Sequence, residues 1–304
     1  MTTAVTAFIK QGLRSIGHYR RALAQMSLPG VAVLCYHGIR DDEMPSGSLP
    51  LDYLHMPVST FEDHCRIVRD CCDPISLDQW RAALTGTARL PRRPVVITFD
   101  DGYRTVLTKG APILAAYDLP AAVFVCTGPM RTRQLLWFDQ VGGHGGDVAV
   151  QLSKDHDYES WANVYHEGPP IDERDPRALM TPGELAELAG MKDIEVGGHT
   201  VRHPILARAS TADQRWEIEQ NLRDIEQWTR KSARAFAYPN GRPGVDYNAD
   251  TLAILATTSV DMAFTTHPSF AKAGEPMFER SRFFMLSDTS AAELAHRLAY
   301  SWPR

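Results

Sequence analysis

The sequence predicts one parallel α/β domain, on three observations. Short apolar segments rich in β-branched residues recur along the chain, with helical patterns between them. The most apolar of them, Pro94 to Phe99, is the uniform run expected of a strand buried on both faces. Several of these segments end in chemistry-bearing residues, at the strand ends where parallel sheets bind ligands. No composition break or internal repeat marks a second domain.

Taken in order, residues 1–30 read as a separate N-terminal element. Lys10, Arg14, Arg20 and Arg21 are its only charges, and Phe8, Ile9, Leu13, Ile16 and Leu23 fall loosely on one helical face. Such a basic amphipathic helix suits peripheral contact with an anionic membrane through residues 1–27, or packing on the outside of the domain. From residue 31 to 304 the chain forms the main domain. Val31 to Cys35 is the first strand, ending in Tyr36, His37 and Gly38, and a polar loop follows from Arg40 to Pro57. Helices are predicted over Val58–Asp70, Leu77–Leu84 and Thr105–Tyr117, the last kinked at Pro112. Ala121 to Cys126 is a strand. Residues 128–177 lose all periodicity and read as a functional insertion.

Regularity resumes with a helix from Thr181 to about Ala189, then a strand over Ile194–Val196. Ser210 and Asp213 form a capping pair for a helix to about Arg230. Strands follow at Ala233–Ala237, Met262–Thr265 and Phe283–Leu286. A helix spans Ala249–Ser259, and Asp288 is expected to cap a last helix to about Ala299.

The bulk composition narrows the function. The chain has 304 residues, 23% of them charged, and a net charge of −5, which gives no electrostatic case for nucleic-acid binding. Cys35, Cys65, Cys71, Cys72 and Cys126 have no CxxC pair and no regular spacing, so they read as free thiols in a reducing compartment. His64 with Cys65, Cys71 and Cys72 fits no standard zinc spacing. No apolar run approaches the ~20 residues needed to cross a bilayer. The expected location is cytoplasmic, with peripheral contact at the inner membrane face.

Two motifs carry chemistry. Asp100 and Asp101 end the central strand side by side, where buried carboxylates cost free energy unless a cation or a reaction uses them. His199 and His203, in the run HTVRH, stand at i and i+4, a spacing that lets one helical turn chelate a metal. Two imidazoles and one carboxylate leave a position open for water, as catalytic zinc requires.

TFDDG (Thr98–Gly102), HTVRH (His199–His203) and AYPNG (Ala237–Gly241), in that order, resemble the first three motifs of the polysaccharide deacetylase (NodB-homology, carbohydrate esterase family 4) family. The resemblance spans roughly Val31 to Leu286, and the opening LCYHGI is similar to a subset of that family. It implies a distorted (β/α)7 barrel and a divalent metal, zinc or else cobalt or nickel, used to hydrolyse acetyl groups on sugars. By the same resemblance Asp101, His199 and His203 are the metal ligands, Asp100 is the general base, and a backbone N–H near Asn240 completes an oxyanion hole. Tyr238, Asn240, Tyr103 and Trp137 are expected to border the substrate.

The third motif departs from the family pattern: Ala237 and Asn240 replace an Arg and a Tyr. Arg282 is expected to supply the missing positive charge beside the base. No C-terminal Leu-x-His-Asp motif is present, so His37 is the candidate acid for the leaving amine, and His296 reads as a surface residue. His144 and His166 read as solvent-facing loop residues. The substrate implied is an N-acetylated glycan, as polymer or as lipid-linked precursor. An O-acetyl esterase or small-molecule amidohydrolase would use the same site, and an inactive carbohydrate-binding protein would be expected to lack one of the four key residues.

Overall fold

The computed structural model describes residues 3–142, 158 and 171–300. Seven parallel strands form its centre. In spatial order they are β10 (Phe283–Phe284), β1 (Ala32–Tyr36), β5 (Pro94–Phe99), β6 (Ala121–Val125), β7 (Ile194–Gly198), β8 (Ala235–Ala237) and β9 (Met262–Phe264). A two-residue strand, β4 (Asp73–Pro74), pairs with the start of β5, and β2 (Gly38–Arg40) with β3 (His55–Pro57) makes a small parallel sheet. The sheet curls, and its β9 edge is bridged to the segment leading into β10: Phe264 pairs with Arg280 in parallel, with hydrogen bonds from Thr265 N to Arg280 O and Arg280 N to Ala263 O, both 2.9 Å. This is the distorted barrel expected.

Every residue of β1, β5 and β6 is buried, because helices cover the sheet outside and side chains fill it inside. Alternation divides the strands. Leu34, Val95, Ile97, Phe99 and Val123 pack outward under the helices. Val33, Val96, Phe124, Ala235 and Phe264 point into the barrel, where α4 (Leu77–Leu84) inserts Leu77 and Trp80 from the N-terminal end. Arg81 of α4 seals that end, bonding Asp261 and both oxygens of Glu195 at 2.7 Å. The Asp100–Asp101 and His199–His203 motifs are therefore left above a filled barrel, at its opposite end.

The helices follow the sequence reading with instructive exceptions. The N-terminal element is two helices, α1 (Thr3–Ser15) and α2 (His18–Gln25), broken at Gly17, whose φ of +71° suits glycine. Next come α3 (Val58–Cys71) and α4. The expected kink at Pro112 is a π-helical turn over Val106–Gly110 that leads into α5 (Ala111–Ala116). After α6 (Thr127–Thr132), the stretches 143–157 and 159–170 of the expected insertion, with His144 and His166, lie outside the described residues. Thr181 caps α7 (Pro182–Gly190) with a reciprocal Glu184 bond, and Ser210 caps α8 (Thr211–Thr229). α9 is Ala249–Leu255. The last helix, α10 (Ala291–Tyr300), is capped by Ser290 rather than Asp288: the Ser290 hydroxyl accepts from the Glu293 N–H at 3.2 Å. The five cysteines are free and buried, and Cys65, Cys71 and Cys72 gather no metal-ligand cluster among the described residues.

Candidate active site

At the end of β5 the chain must turn without losing its buried hydrogen bonds. Asp100 N donates to Tyr36 O at 2.9 Å, then Asp101 and Gly102 both take positive φ, +72° and +89°. A Cβ on Gly102 would lie 3.1 Å from Val125 Cγ1, so glycine is needed for space as well as for φ. Asp101 tolerates the left-handed conformation better than most side chains, and the turn holds the two carboxylates in different directions.

Asp101 meets the two histidines. Its Oδ1 lies 3.4 Å from His199 Nε2 and 3.5 Å from His203 Nε2, and it forms no hydrogen bond although it is buried. The Nδ1–H of His199 donates to Ala237 O at 2.7 Å, which fixes a tautomer with a lone pair on Nε2. One ligand atom from each of Asp101, His199 and His203 falls within 4.8 Å of the others. Left without a cation, a buried carboxylate oxygen facing two imidazole nitrogens would be poorly satisfied, so this donor set fits a divalent metal.

His199 to His203 is an irregular turn, not the helical turn expected. Thr200 and His203 have φ of +69° and +61°, and helix α8 holds the loop from behind. Glu217, fully buried there, accepts from the N–H groups of Val201 and Arg202 at 2.9 Å. Asn221 accepts from His199 N at 3.1 Å and donates to Thr200 O at 2.6 Å and to Val125 O at 2.9 Å. Neither residue stands out in the sequence: both sit mid-helix, where only an apolar period is legible.

Asp100 has different company. Arg282 grips both its oxygens, Nη1 to Oδ1 at 2.7 Å and Nη2 to Oδ2 at 2.8 Å, and Cys35 Sγ donates to Oδ2 at 3.4 Å. Arg282 is wholly buried between the rings of Phe124 and Phe264, with its Nε on Thr265 O at 3.0 Å. Burial pushes the Asp100 carboxyl up, but the Arg282 guanidinium and the neighbouring imidazoles outweigh it and hold Asp100 well below the ordinary carboxylate range. Asp100 is thus anionic near neutral pH and has no oxygen free of Arg282.

His37 stands at the end of β1 with its ring 4.7 Å from that of Phe284. Burial draws its pKa down, while Asp101 and Asp100 pull it back up. Together with Asp100, Asp101, His199 and His203 it lines a cavity of about 550 Å³. Phe138, Tyr238, Asn240, Arg242 and Phe284 add to the wall, with Leu51, Tyr53 and Leu54 from the loop read only as polar. Asn240, at φ +56°, has a buried side-chain Nδ2 without a hydrogen-bond partner. Tyr238 borders the cavity but is fully buried, its ring stacked on that of Tyr247 at 3.8 Å and its hydroxyl donating to Phe278 O at 2.8 Å.

Two expected substrate contacts are not on that wall. Trp137 is buried, its indole N–H donating to His203 O at 2.9 Å, so it supports the backbone of His203 and does not face the cavity. Tyr103 is likewise buried, its hydroxyl donating to Asp139 at 2.8 Å. His296 lies on α10 against Tyr19, away from the cavity.

The sequence model of the polysaccharide deacetylase family matches residues 87–263. The chain belongs to the polysaccharide deacetylase family. Within it, a 104-residue stretch is 33% identical to the poly-β-1,6-N-acetyl-D-glucosamine N-deacetylase of Escherichia coli, covering 33% of this chain but only 14% of that enzyme. The putative polysaccharide deacetylase YxkH of Bacillus subtilis is 23% identical over 251 residues, 82% of this chain and 69% of that one. Among solved structures, the Streptococcus pyogenes deacetylase PplD in complex with acetate has a TM-score of 0.65 at 21% identity, covering 90% of this chain and 99% of that one. IcaB from Ammonifex degensii has a TM-score of 0.62 at 19% identity, with coverage of 90% and 99%. These two share the barrel.

Proposed function

We propose that this chain is a metal-dependent hydrolase that removes acetyl groups from N-acetylated sugars of a polysaccharide or a lipid-linked glycan precursor. The observation that carries the reading is the separation of two adjacent carboxylates. Asp101 faces two imidazole nitrogens and is positioned to hold a cation with them, whereas Asp100 is tied to Arg282. When bound by Asp101, His199 and His203, a divalent ion such as zinc, cobalt or nickel supplies a Lewis acid that acidifies water and polarises an acyl carbonyl.

The chain's own groups supply the rest. Asp100, kept anionic by Arg282, accepts a proton as the attacking water forms its bond to the acetyl carbon. Asn240 Nδ2 is a donor available for the oxyanion, in addition to the backbone N–H expected there. His37 in its protonated form gives a proton to the amine nitrogen as the carbon–nitrogen bond breaks, leaving acetate and a free amino sugar. Tyr53 and Phe284, the less buried aromatic residues of the cavity wall, provide surface against which sugar faces pack.

The test is acetate release from N-acetylglucosamine oligomers, with metal content measured on the same preparation. Acetate in step with near-stoichiometric metal, both lost in His199→Ala, is the expected result. Stoichiometric metal with no acetate from any N-acetylated oligomer would overturn the substrate assignment.

A further inference from the structure

Helix α1 is built the wrong way round for a helix that covers a soluble domain. Val5, Phe8 and Ile9 fall on one face at helical spacing, and Ile16, whose N–H still bonds Gly12 O one residue past the helix end, continues the row; that face is in solvent: Phe8 is 81% exposed, Ile16 64%, Val5 45% and Ile9 44%. Of the ten large apolar side chains exposed among the described residues, these four share one row, whereas scattered single exposures are ordinary.

The inner face is held largely by charge. Lys10 Nζ pairs with Glu293 at 2.5 Å and Arg14 with Asp63 at 3.0 Å, while Leu13 packs on the core. The cations that would make a water-facing stripe are thus spent on the protein, and the apolar stripe is turned out. Past the break at Gly17, Arg20 and Arg21 are exposed and have no ion-pair partner among the described residues.

We propose that α1 and the start of α2 form a docking surface for an anionic lipid bilayer, the apolar row entering the acyl boundary and Arg20 and Arg21 meeting headgroups. An apolar row followed, past the break at Gly17, by two uncompensated cations is the complement of an anionic interface. One row of four side chains is small against the ~800 Å² per partner that stable dimers bury, which argues against a second copy as the occupant. The placement also suits a membrane-borne substrate. Lys10 lies beside Glu293 in the first turn of α10, just after the C-terminal end of β10, and His18 lies beside Tyr300 at its last residue. The chain from Lys10 to His18 therefore runs alongside α10 in the same direction, with Lys10 at the end of α10 nearer to the end of β10.

The experiment is vesicle flotation of the full chain, with phosphatidylcholine alone and with added phosphatidylglycerol. Binding is expected only with phosphatidylglycerol, weakened roughly thirtyfold in Arg20→Gln/Arg21→Gln, given about 1 kcal/mol per cation at such a surface. Phe8→Ser/Ile16→Ser is expected to weaken it by at least about tenfold while leaving the melting temperature in solution unchanged, because both side chains are exposed. Failure to float with anionic vesicles, or flotation indifferent to Phe8→Ser/Ile16→Ser, overturns the proposal. So does a dimer in solution that this double variant splits, which would assign the face to a second copy. None of these readouts depends on deacetylase activity.

Discussion

At the scale of single residues, the site turns on how one guanidinium changes a carboxylate. Arg282 reaches Asp100 from a distant part of the chain and stands buried between two aromatic rings, so its charge acts in a low-dielectric setting. It lowers the Asp100 pKa, which keeps the carboxylate ionised at the expense of its strength as a base. Replacing Arg282 with Met removes the lowering influence, so the Asp100 pKa rises and the acidic limb of the rate–pH profile moves to higher pH. An unmoved limb would mean that this limb does not report Asp100. The same change leaves a buried carboxylate unpaired and is expected to cost about 3–5 kcal/mol of stability, measurable by denaturant unfolding.

At the scale of elements, the precision of the His199–His203 turn comes from helix α8 rather than from the turn's own sequence. Asn221 ties the ends of β6 and β7 together, and Glu217 collects the amides that the left-handed residues expose. Asn221→Ala is expected to weaken metal affinity by about 10–100-fold without touching a ligand, as loss of an orienting partner does elsewhere, with the barrel intact by circular dichroism. Unchanged affinity by competitive chelation would show that the turn holds itself. The outer helices contribute a pH dependence. His64 on α3 is buried with its Nδ1 3.0 Å from Tyr36 Oη and its Nε2 2.9 Å from Thr289 O, and burial pulls its pKa down to about 4. The unfolded chain, with an ordinary histidine near 6.5, binds the extra proton first. Its contribution to stability is therefore present above about pH 6.5 and lost as pH falls towards about 4. Unfolding free energies across that window should fall with a shallower slope in His64→Gln, and an identical slope would remove His64 from the account.

At the scale of the whole molecule, the parallel α/β barrel and the positions of its four central residues are legible in the sequence because they obey local rules, whereas the spatial order of the strands, with β10 beside β1, is not. Pro94–Phe99 is apolar throughout because both its faces are covered, and Leu77–Leu84 shows its own period and cap. Asp100, Asp101, His199 and His203 lie next to strand ends, where sequence position is spatial position, and the cavity gathers them with His37, Tyr238 and Asn240. What was misread depends on packing at a distance. HTVRH has helical spacing, yet two left-handed residues and Glu217 make it a turn. Trp137 and Tyr103 are close in sequence to site features, but their polar atoms are engaged inside by His203 O and Asp139. The loop from Arg40 to Pro57 has a polar composition, and only the fold brings Leu51, Tyr53 and Leu54 to the cavity. The inversion of α1 was equally hidden, since an amphipathic pattern does not say which face is turned to the protein.

The central claim is that two neighbouring carboxylates do different work, and it is tested most directly by metal content in Asp100→Asn and Asp101→Asn, measured by mass spectrometry after identical purification. Asp101→Asn is expected to lose the metal. Asp100→Asn is expected to keep it near the wild-type level while acetate release falls by about 10²–10⁴-fold. Loss of metal from Asp100→Asn to the same extent as from Asp101→Asn would contradict the division and make the pair a joint ligand.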